Sequence, residues 1–181
     1  MNQPTITLTV QGTIDLVHTT KTNDIYCKFG FACGSDWEAI YGSKAGVSHS
    51  AQSNNHSETV LNYPIGITLR SPTPFGWPQV VLAIYGINNF GNDMVVGYGA
   101  VHIPATSGKH SIKIPMFSPE PETAMQKIGA FFTGLYPELI DTNLVAQGTN
   151  RDVLKTCSDG YILVTLNIVI SDLSALNMKA Q

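Results

Sequence analysis

Charge is what this sequence has least of. Ten Lys and Arg and thirteen Asp and Glu make up 13% of its 181 residues, about half the ~25% of an ordinary soluble domain. The formal net charge is -3, so little basic surface is left to neutralise a phosphate backbone, and nucleic acid is not an expected partner. A surface this neutral is one that a protein partner often covers. Cysteine is also scarce. Cys27, Cys33 and Cys157 are odd in number and scattered, which is no disulfide framework, and reduced thiols in a cytosolic compartment are expected. Long apolar runs are missing too. The longest, Tyr161 to Ile170, is interrupted by Thr165 and Asn167 and falls far short of the ~20 residues of a membrane span. The opening Met1-Asn2-Gln3-Pro4-Thr5 has neither a basic nor an apolar leader, so no secretory signal is expected.

What is present is enough apolar material, 43% of residues, for one domain with a real core. Its period is two, that of half-buried strands. Ile6, Leu8 and Val10 alternate with Thr5, Thr7, Thr9 and Gln11, and Ile25, Cys27, Phe29 and Phe31 with Tyr26, Lys28 and Gly30. Ile65, Ile67 and Leu69 repeat the pattern, as do Val95, Val101 and Ile103, then Ile112 and Ile114. Val80 to Tyr85 is a continuous apolar run, the mark of a central strand covered on both faces. Ser158-Asp159-Gly160, between Arg151–Cys157 and Tyr161–Ile170, reads as a hairpin turn. Gly42 to Ser57 is polar and reads as a long connection. About eight strands separated by Gly and Pro turns predict an all-β, two-sheet antiparallel sandwich.

One segment departs from period two. Ala124, Ile128, Phe131, Phe132 and Leu135 recur at helical spacing, with Glu122, Gln126 and Lys127 between them. Ser118-Pro119-Glu120-Pro121 supplies a start and Tyr136-Pro137 a stop, so one inserted helix is predicted near residues 121–135. Its apolar face, Ile128, Phe131, Phe132 and Leu135, completes a local core or meets a partner.

Reactive chemistry finds little support. His49 and His56 lie in the polar connection without acidic or thiol companions at zinc-like spacing, and zinc needs at least three protein ligands. His102 and His110 flank the turn Pro104–Gly108, yet strand parity turns His102 outward and gives His110 the inward parity of Ile112 and Ile114. Cys27 and Cys33 form no CxxC pair, and the inward parity of Cys27 suits a buried thiol. Calcium wants six to eight oxygens, whereas Asp24, Asp36, Asp93 and Asp159 are isolated. The glycines around Asn92 and Tyr98 do not open a helix, and no nucleophile elbow, Walker loop or HExxH occurs. No catalytic residue, metal, cofactor or small-molecule substrate is expected.

Pro74-Phe75-Gly76-Trp77-Pro78-Gln79-Val80 is distinctive, and so are Tyr85-Gly86, Phe90-Gly91-Asn92-Asp93 and Gly97-Tyr98-Gly99-Ala100-Val101-His102-Ile103-Pro104. With Gly108-Lys109-His110 and Ile114-Pro115-Met116-Phe117, they resemble the B9-domain family, C2-like sandwiches of the ciliary transition zone. The likeness spans residues 5–172 as one domain and leaves 173–181 as a short tail. Physically, Gly76, Trp77, Pro78, Gly97, Tyr98 and Gly99 read as fold-determining. An indole at the entrance to a central strand closes one end of a sandwich, and glycines within a strand mark a bulge or a close backbone approach.

The resemblance implies a non-enzymatic subunit at the ciliary base, assembling with B9 domain-containing protein 2 and the Meckel syndrome type 1 protein in a Meckel–tectonic complex. A second expectation comes from the C2-like class, a peripheral module binding lipid head groups. The ten cations are spread along the chain, which weighs against it.

Overall fold

The computed structural model describes residues 5–53, 57–87, 91–119 and 156–171. Among them are ten strands: β1 (Ile6–His18), β2 (Asp24–Ala32), β3 (Glu38–Gly42), β4 (Ala45–Val47), β5 (Ala51–Gln52), β6 (Glu58–Ser71), β7 (Gln79–Ile87), β8 (Asp93–His102), β9 (Gly108–Pro119) and β10 (Thr156–Ser171). They form one curled antiparallel sheet in the order β3-β6-β1-β10-β9-β8-β7-β2-β4, with β5 beside β2. The all-β, antiparallel architecture is the one the alternation predicts. The predicted helix, with Ile128, Phe131, Phe132 and Leu135, lies outside the described residues, as does the 173–181 tail.

Alternation places the core. Ile6, Leu8 and Val10 of β1 are fully buried, as are Leu69 of β6 and Val164 and Leu166 of β10. Opposite them sit Ile25 and Cys27 of β2 and Val80, Leu82 and Ile84 of β7, all buried in the same cluster. The sheet folds over between β8 and β9, which are paired only at Tyr98 and Phe117. That corner turns one sheet into two facing halves.

Two expectations need correction. Ser158-Asp159-Gly160 is not a hairpin turn, because it lies within β10. Ser158 faces Phe117 and Tyr161 faces Pro115, so β10 takes three steps where β9 takes two. The Asp-Gly preference for positive φ is spent on a bulge, with Gly160 at φ 83°. A Cβ there would sit 1.9 Å from the His18 carbonyl oxygen. The second concerns Gly42 to Ser57. That stretch contains β4 and β5, both paired with β2. Just before it, β3 pairs with β6. The chain from residue 38 to 47 therefore begins on one half and ends on the other. Ser43 N donates to Gly66 O at 3.4 Å, and Phe31 N donates to Lys44 O at 2.8 Å. The strand changes halves between these two residues and closes the open side. Its polarity hides this, because Ser48 is buried by hydrogen bonding: the Cys27 amide donates to Ser48 Oγ at 2.9 Å.

Candidate functional site

The Gly76-Trp77-Pro78 motif builds one end of the sandwich. Gly76, at φ 65°, turns the chain so closely over Gly34 that a Cβ on it would lie 2.5 Å from Gly34 Cα. Only glycine meets both demands at position 76. Gly34 N donates to Gly76 O at 2.9 Å and fixes the two loops together. Trp77, half-buried, then donates its indole N–H to Ile103 O at 2.6 Å. Pro78 follows, and its carbonyl accepts from Ile103 N at 3.0 Å. Trp77 thus closes the end of the sandwich and joins the start of β7 to the end of β8.

Trp77 does not act alone. Trp37, 3% exposed, stands edge-on to it with ring centroids 5.3 Å apart and planes at 86°. The Trp37 indole donates to Phe75 O at 2.8 Å, so each tryptophan carries its polar atom to a backbone carbonyl, as a buried indole must. Sequence reasoning gives Trp37 no role. The available signal was that the chain has only two tryptophans, each shortly after a glycine of a turn.

Gly97, Tyr98 and Gly99 are placed at the β8–β9 corner. Ile84 faces Gly97 while Tyr85 faces Val95, so Val96 is the extra residue of a bulge beside Gly97. A Cβ at Gly99 would come 2.9 Å from Ile114 Cγ2, and one at Gly97 3.3 Å from Phe117 O. The glycines thus let β9 pass close behind β8. Between them Tyr98 points to the other face, fully buried beside Val81, Ala83, Tyr85 and Val95.

The polar groups are dispersed. His102 is exposed, while His110 brings Nε2 within 2.9 Å of Thr106 O. His110 faces Leu166 across β9 and β10, the inward parity its sequence position implies. His49 lies against Tyr63, 6.2 Å between ring centroids. His18 stacks on Tyr161 at 4.9 Å, and the Tyr161 hydroxyl donates to Glu58 at 3.3 Å. Burial and the Glu58 carboxylate hold that phenol above its ordinary range. Burial pushes the Cys27 thiol far up and that of Cys33 up as well, against the opposing pull of Lys44. Among the described residues no three His, Cys, Asp or Glu side chains gather as a metal site would require.

The surface has a second feature that sequence reasoning missed. Seven large apolar side chains among the described residues are exposed, and Ile40, Tyr41 and Val47 lie within one short stretch of chain. A fourth, Phe75, belongs to the loop that Trp37 holds. In β3, Ala39 faces Leu69 and Tyr41 faces Thr68, so Ile40 is a bulge residue. Bulges re-aim side chains, and here two consecutive apolar residues both reach solvent. Tyr41 is 79% and Phe75 78% exposed. Chemically these are exposed apolar side chains on β3, on β4 and on the loop before β7. They are suited to contact with another protein.

This architecture, with its Gly76-Trp77-Pro78 end and its Gly97-Tyr98-Gly99 corner, is that of a known family. The profile of the B9-C2 family, described as ciliary basal body-associated, B9 protein, matches residues 8–169. The chain belongs to that family. Within it, the chain is 42% identical over 171 residues to B9 domain-containing protein 1 of Xenopus laevis, covering 93% of this chain and 86% of that protein. To the Homo sapiens protein of the same name it is 40% identical, covering 93% of this chain and 84% of the other. B9 domain-containing protein 2 of Drosophila melanogaster is 32% identical over 145 residues, covering 80% of this chain and 82% of that protein. The greater likeness to the first protein agrees with Asp24-Ile25-Tyr26-Cys27-Lys28, Gly34-Ser35-Asp36-Trp37, Asn62-Tyr63-Pro64-Ile65 and Val145-Ala146-Gln147-Gly148, segments that resemble that member. Among solved structures, a C2 domain of plant extended synaptotagmin 1 aligns over 93% of this chain and 96% of its own at 10% identity and a TM-score of 0.45.

Proposed function

We propose that this chain is a non-enzymatic structural subunit of the ciliary transition-zone assembly, docking on other B9-domain proteins and supporting cilium formation and the barrier at the ciliary base. The observation that carries this reading is the family match over residues 8–169. The charge-poor composition and the exposed apolar side chains of Ile40 and Tyr41 support contact with proteins over contact with nucleic acid. Its expected partners are B9 domain-containing protein 2 and the Meckel syndrome type 1 protein, within a Meckel–tectonic-like complex reached from the cytoplasm. It works by fitting against neighbours, with no bond made or broken by its own side chains.

Affinity purification of a tagged copy from a ciliated cell tests this. Recovery of the other B9 proteins, with the tag in a narrow band above the basal body, is the expected result. A diffuse tag and no B9 protein in the eluate would overturn it. Flotation with vesicles containing anionic lipid distinguishes the lipid-binding alternative, and this reading expects the pure chain to stay at the bottom of the gradient.

A further inference from the structure

We propose that the outer face of β2, β7 and β8 is the docking face for residues 120–155 of this same chain, with Ile128, Phe131, Phe132 and Leu135 lying across Val81 and Ala83. This goes beyond the assembly with other B9 proteins and does not depend on it. It withdraws one face of the sandwich, and those four side chains, from the surface a partner can use.

The observation that carries it is burial on a face without a second layer. Val81, Ala83, Tyr85, Val95 and Tyr98 form a cluster apart from the shared core, and its packed neighbours Tyr26, Ala32, Ala100 and Phe117 come from the same layer of strands. Across the sheet Val81 faces Gly30 on β2 and Ala100 on β8. Cross-strand neighbours that small leave the top of a valine open. Val81 is nevertheless 2% exposed and Ala83 fully buried. Lys28 faces Ala83 on β2, but its Nζ lies 4.0 Å over the Tyr85 ring and the residue stays exposed, so it marks the border of the covered patch. A Cβ built on Gly30 would have the Lys44 carbonyl oxygen, at 3.9 Å, as its nearest described neighbour. A sheet buries its second face only against another element.

Residues 120–155 are placed to supply that element. They follow Pro119 of β9 and precede Thr156 of β10, and these two residues face each other. Phe117, just before the departure, faces Tyr98 and packs against the same cluster. The segment thus starts and ends at the border of the patch it covers. The other stretches outside the described residues do not fit. Residues 1–4, 54–56 and 88–90 are short, and 172–181 follows Ser171, which faces Thr7 on the other half. A connection as long as 120–155 with nothing to pack against is also uncommon in a compact domain.

The chemistry of the two sides matches. Helical spacing collects Ile128, Phe131, Phe132 and Leu135 on one side of residues 121–135, the pattern of a segment with one face to bury. Opposite it, Gly30, Val81, Ala83 and Ala100 make a shallow trough of small side chains. Large groups set into a trough of small ones give the close packing that a protein interior requires. The two phenylalanines are thereby assigned to a local core, and Tyr41 and Phe75 are left among the exposed apolar groups that a partner would meet.

Hydroxyl-radical footprinting of the full chain tests the idea, because it reads side-chain exposure directly. In wild type, Phe131 and Phe132 are expected to be oxidised as slowly as the buried Phe31 and several-fold more slowly than the exposed Phe75. Phe132→Ala is expected to raise oxidation of Tyr85 and Tyr98 several-fold while Phe29 and Phe31, on the inner face of β2, stay protected. Phe131→Ser combined with Phe132→Ser is expected to do the same more strongly. If that double variant fails to fold, the wild-type rates and the milder variant still decide. Phe131 and Phe132 oxidised at the rate of Phe75 would overturn the proposal, and so would Tyr85 and Tyr98 that stay protected in both folded variants. Protection of Tyr98 that grows with protein concentration would put a second copy on this face and overturn it too. Loss of the other B9 proteins on affinity purification of Phe132→Ala, with an unchanged footprint at Tyr98, would place Phe132 in a partner contact instead. That outcome would leave the proposed assembly standing while this inference fails.

Discussion

The two halves of the curled sheet share one core but differ on their outer faces. On β1 and its neighbours the outward positions are Thr7, Thr9, Gln11, Thr13, Thr68, Arg70, Thr165 and Asn167, all partly or fully exposed. They interact with one another by small polar contacts, such as Thr9 Oγ1 to Thr68 Oγ1 at 3.2 Å. On β7 and β8 the outward positions are Val81, Ala83, Tyr85, Val95 and Tyr98, and each is buried in a second apolar cluster. The contrast explains the sequence. A strand wet on one face must alternate, as β1 does. A strand buried on both faces loses its period and becomes a continuous apolar run, as Val80 to Tyr85 does.

The largest effect that would break this comparison is at Tyr98. Tyr98→Ala removes a fully buried ring in contact with Phe117, 6.1 Å between centroids. It is expected to cost about 3–5 kcal/mol, in the range of buried aromatic truncations. Thr9→Ala on the opposite outer face is expected to change stability by less than about 0.5 kcal/mol. Urea unfolding of both variants measures the difference. Equal losses would mean that the two outer faces are not physically distinct.

The tryptophan end sharpens the contrast, because there both halves are joined by one aromatic pair. Trp37→Ala is expected to cost about 3–5 kcal/mol. Trp77→Ala, with a half-buried ring and an abandoned Ile103 carbonyl, should cost about 2–3 kcal/mol. Their edge-on contact predicts that the double variant loses about 0.5–1.5 kcal/mol less than the sum. Full additivity in a double-mutant cycle would show that the rings do not support each other.

Most of the fold was legible because the alternation is strong where one face is wet. Ile6, Leu8 and Val10 with Ile65, Ile67 and Leu69 mark β1 and β6 without ambiguity, and Cys27 lies inside as its parity implied. What could not be read has a physical cause in each case. The Trp37–Trp77 contact joins residues far apart in the chain, and no local pattern encodes such a pairing. The strand from residue 38 to 47 is rich in Gly, Ser and Ala, and its pairing rests on backbone hydrogen bonds rather than on buried side chains. Asp159-Gly160 states a need for positive φ, which a hairpin turn and a bulge satisfy equally. Gly76, Gly97 and Gly99 each stand where a Cβ would crowd a neighbouring strand or loop, a kind of constraint that a glycine in a turn or strand signals in sequence. The exposure of Ile40 and Tyr41 has no such local signal, since it follows from the bulge that β3 makes against β6.

A pH-dependent effect concerns the core that both halves share. Cys27 on β2 is fully buried, and burial raises its thiol pKa above the ordinary 9.0. In the unfolded chain the thiol ionises near that ordinary value, while in the folded chain it stays protonated. The folded state therefore holds a proton that the unfolded state gives up as pH rises. This contribution to stability is fully present below about pH 8.5 and is lost progressively above it. Wild type is expected to lose about 1.4 kcal/mol per pH unit from this one group once the pH exceeds about 9. Cys27→Ala gives up some packing at neutral pH but should show a shallower alkaline decline. Unfolding curves at successive pH values from neutral to about 10 separate the two terms. Parallel curves for wild type and variant would mean that the thiol reaches solvent, and that the inner face of β2 is not sealed between the two halves.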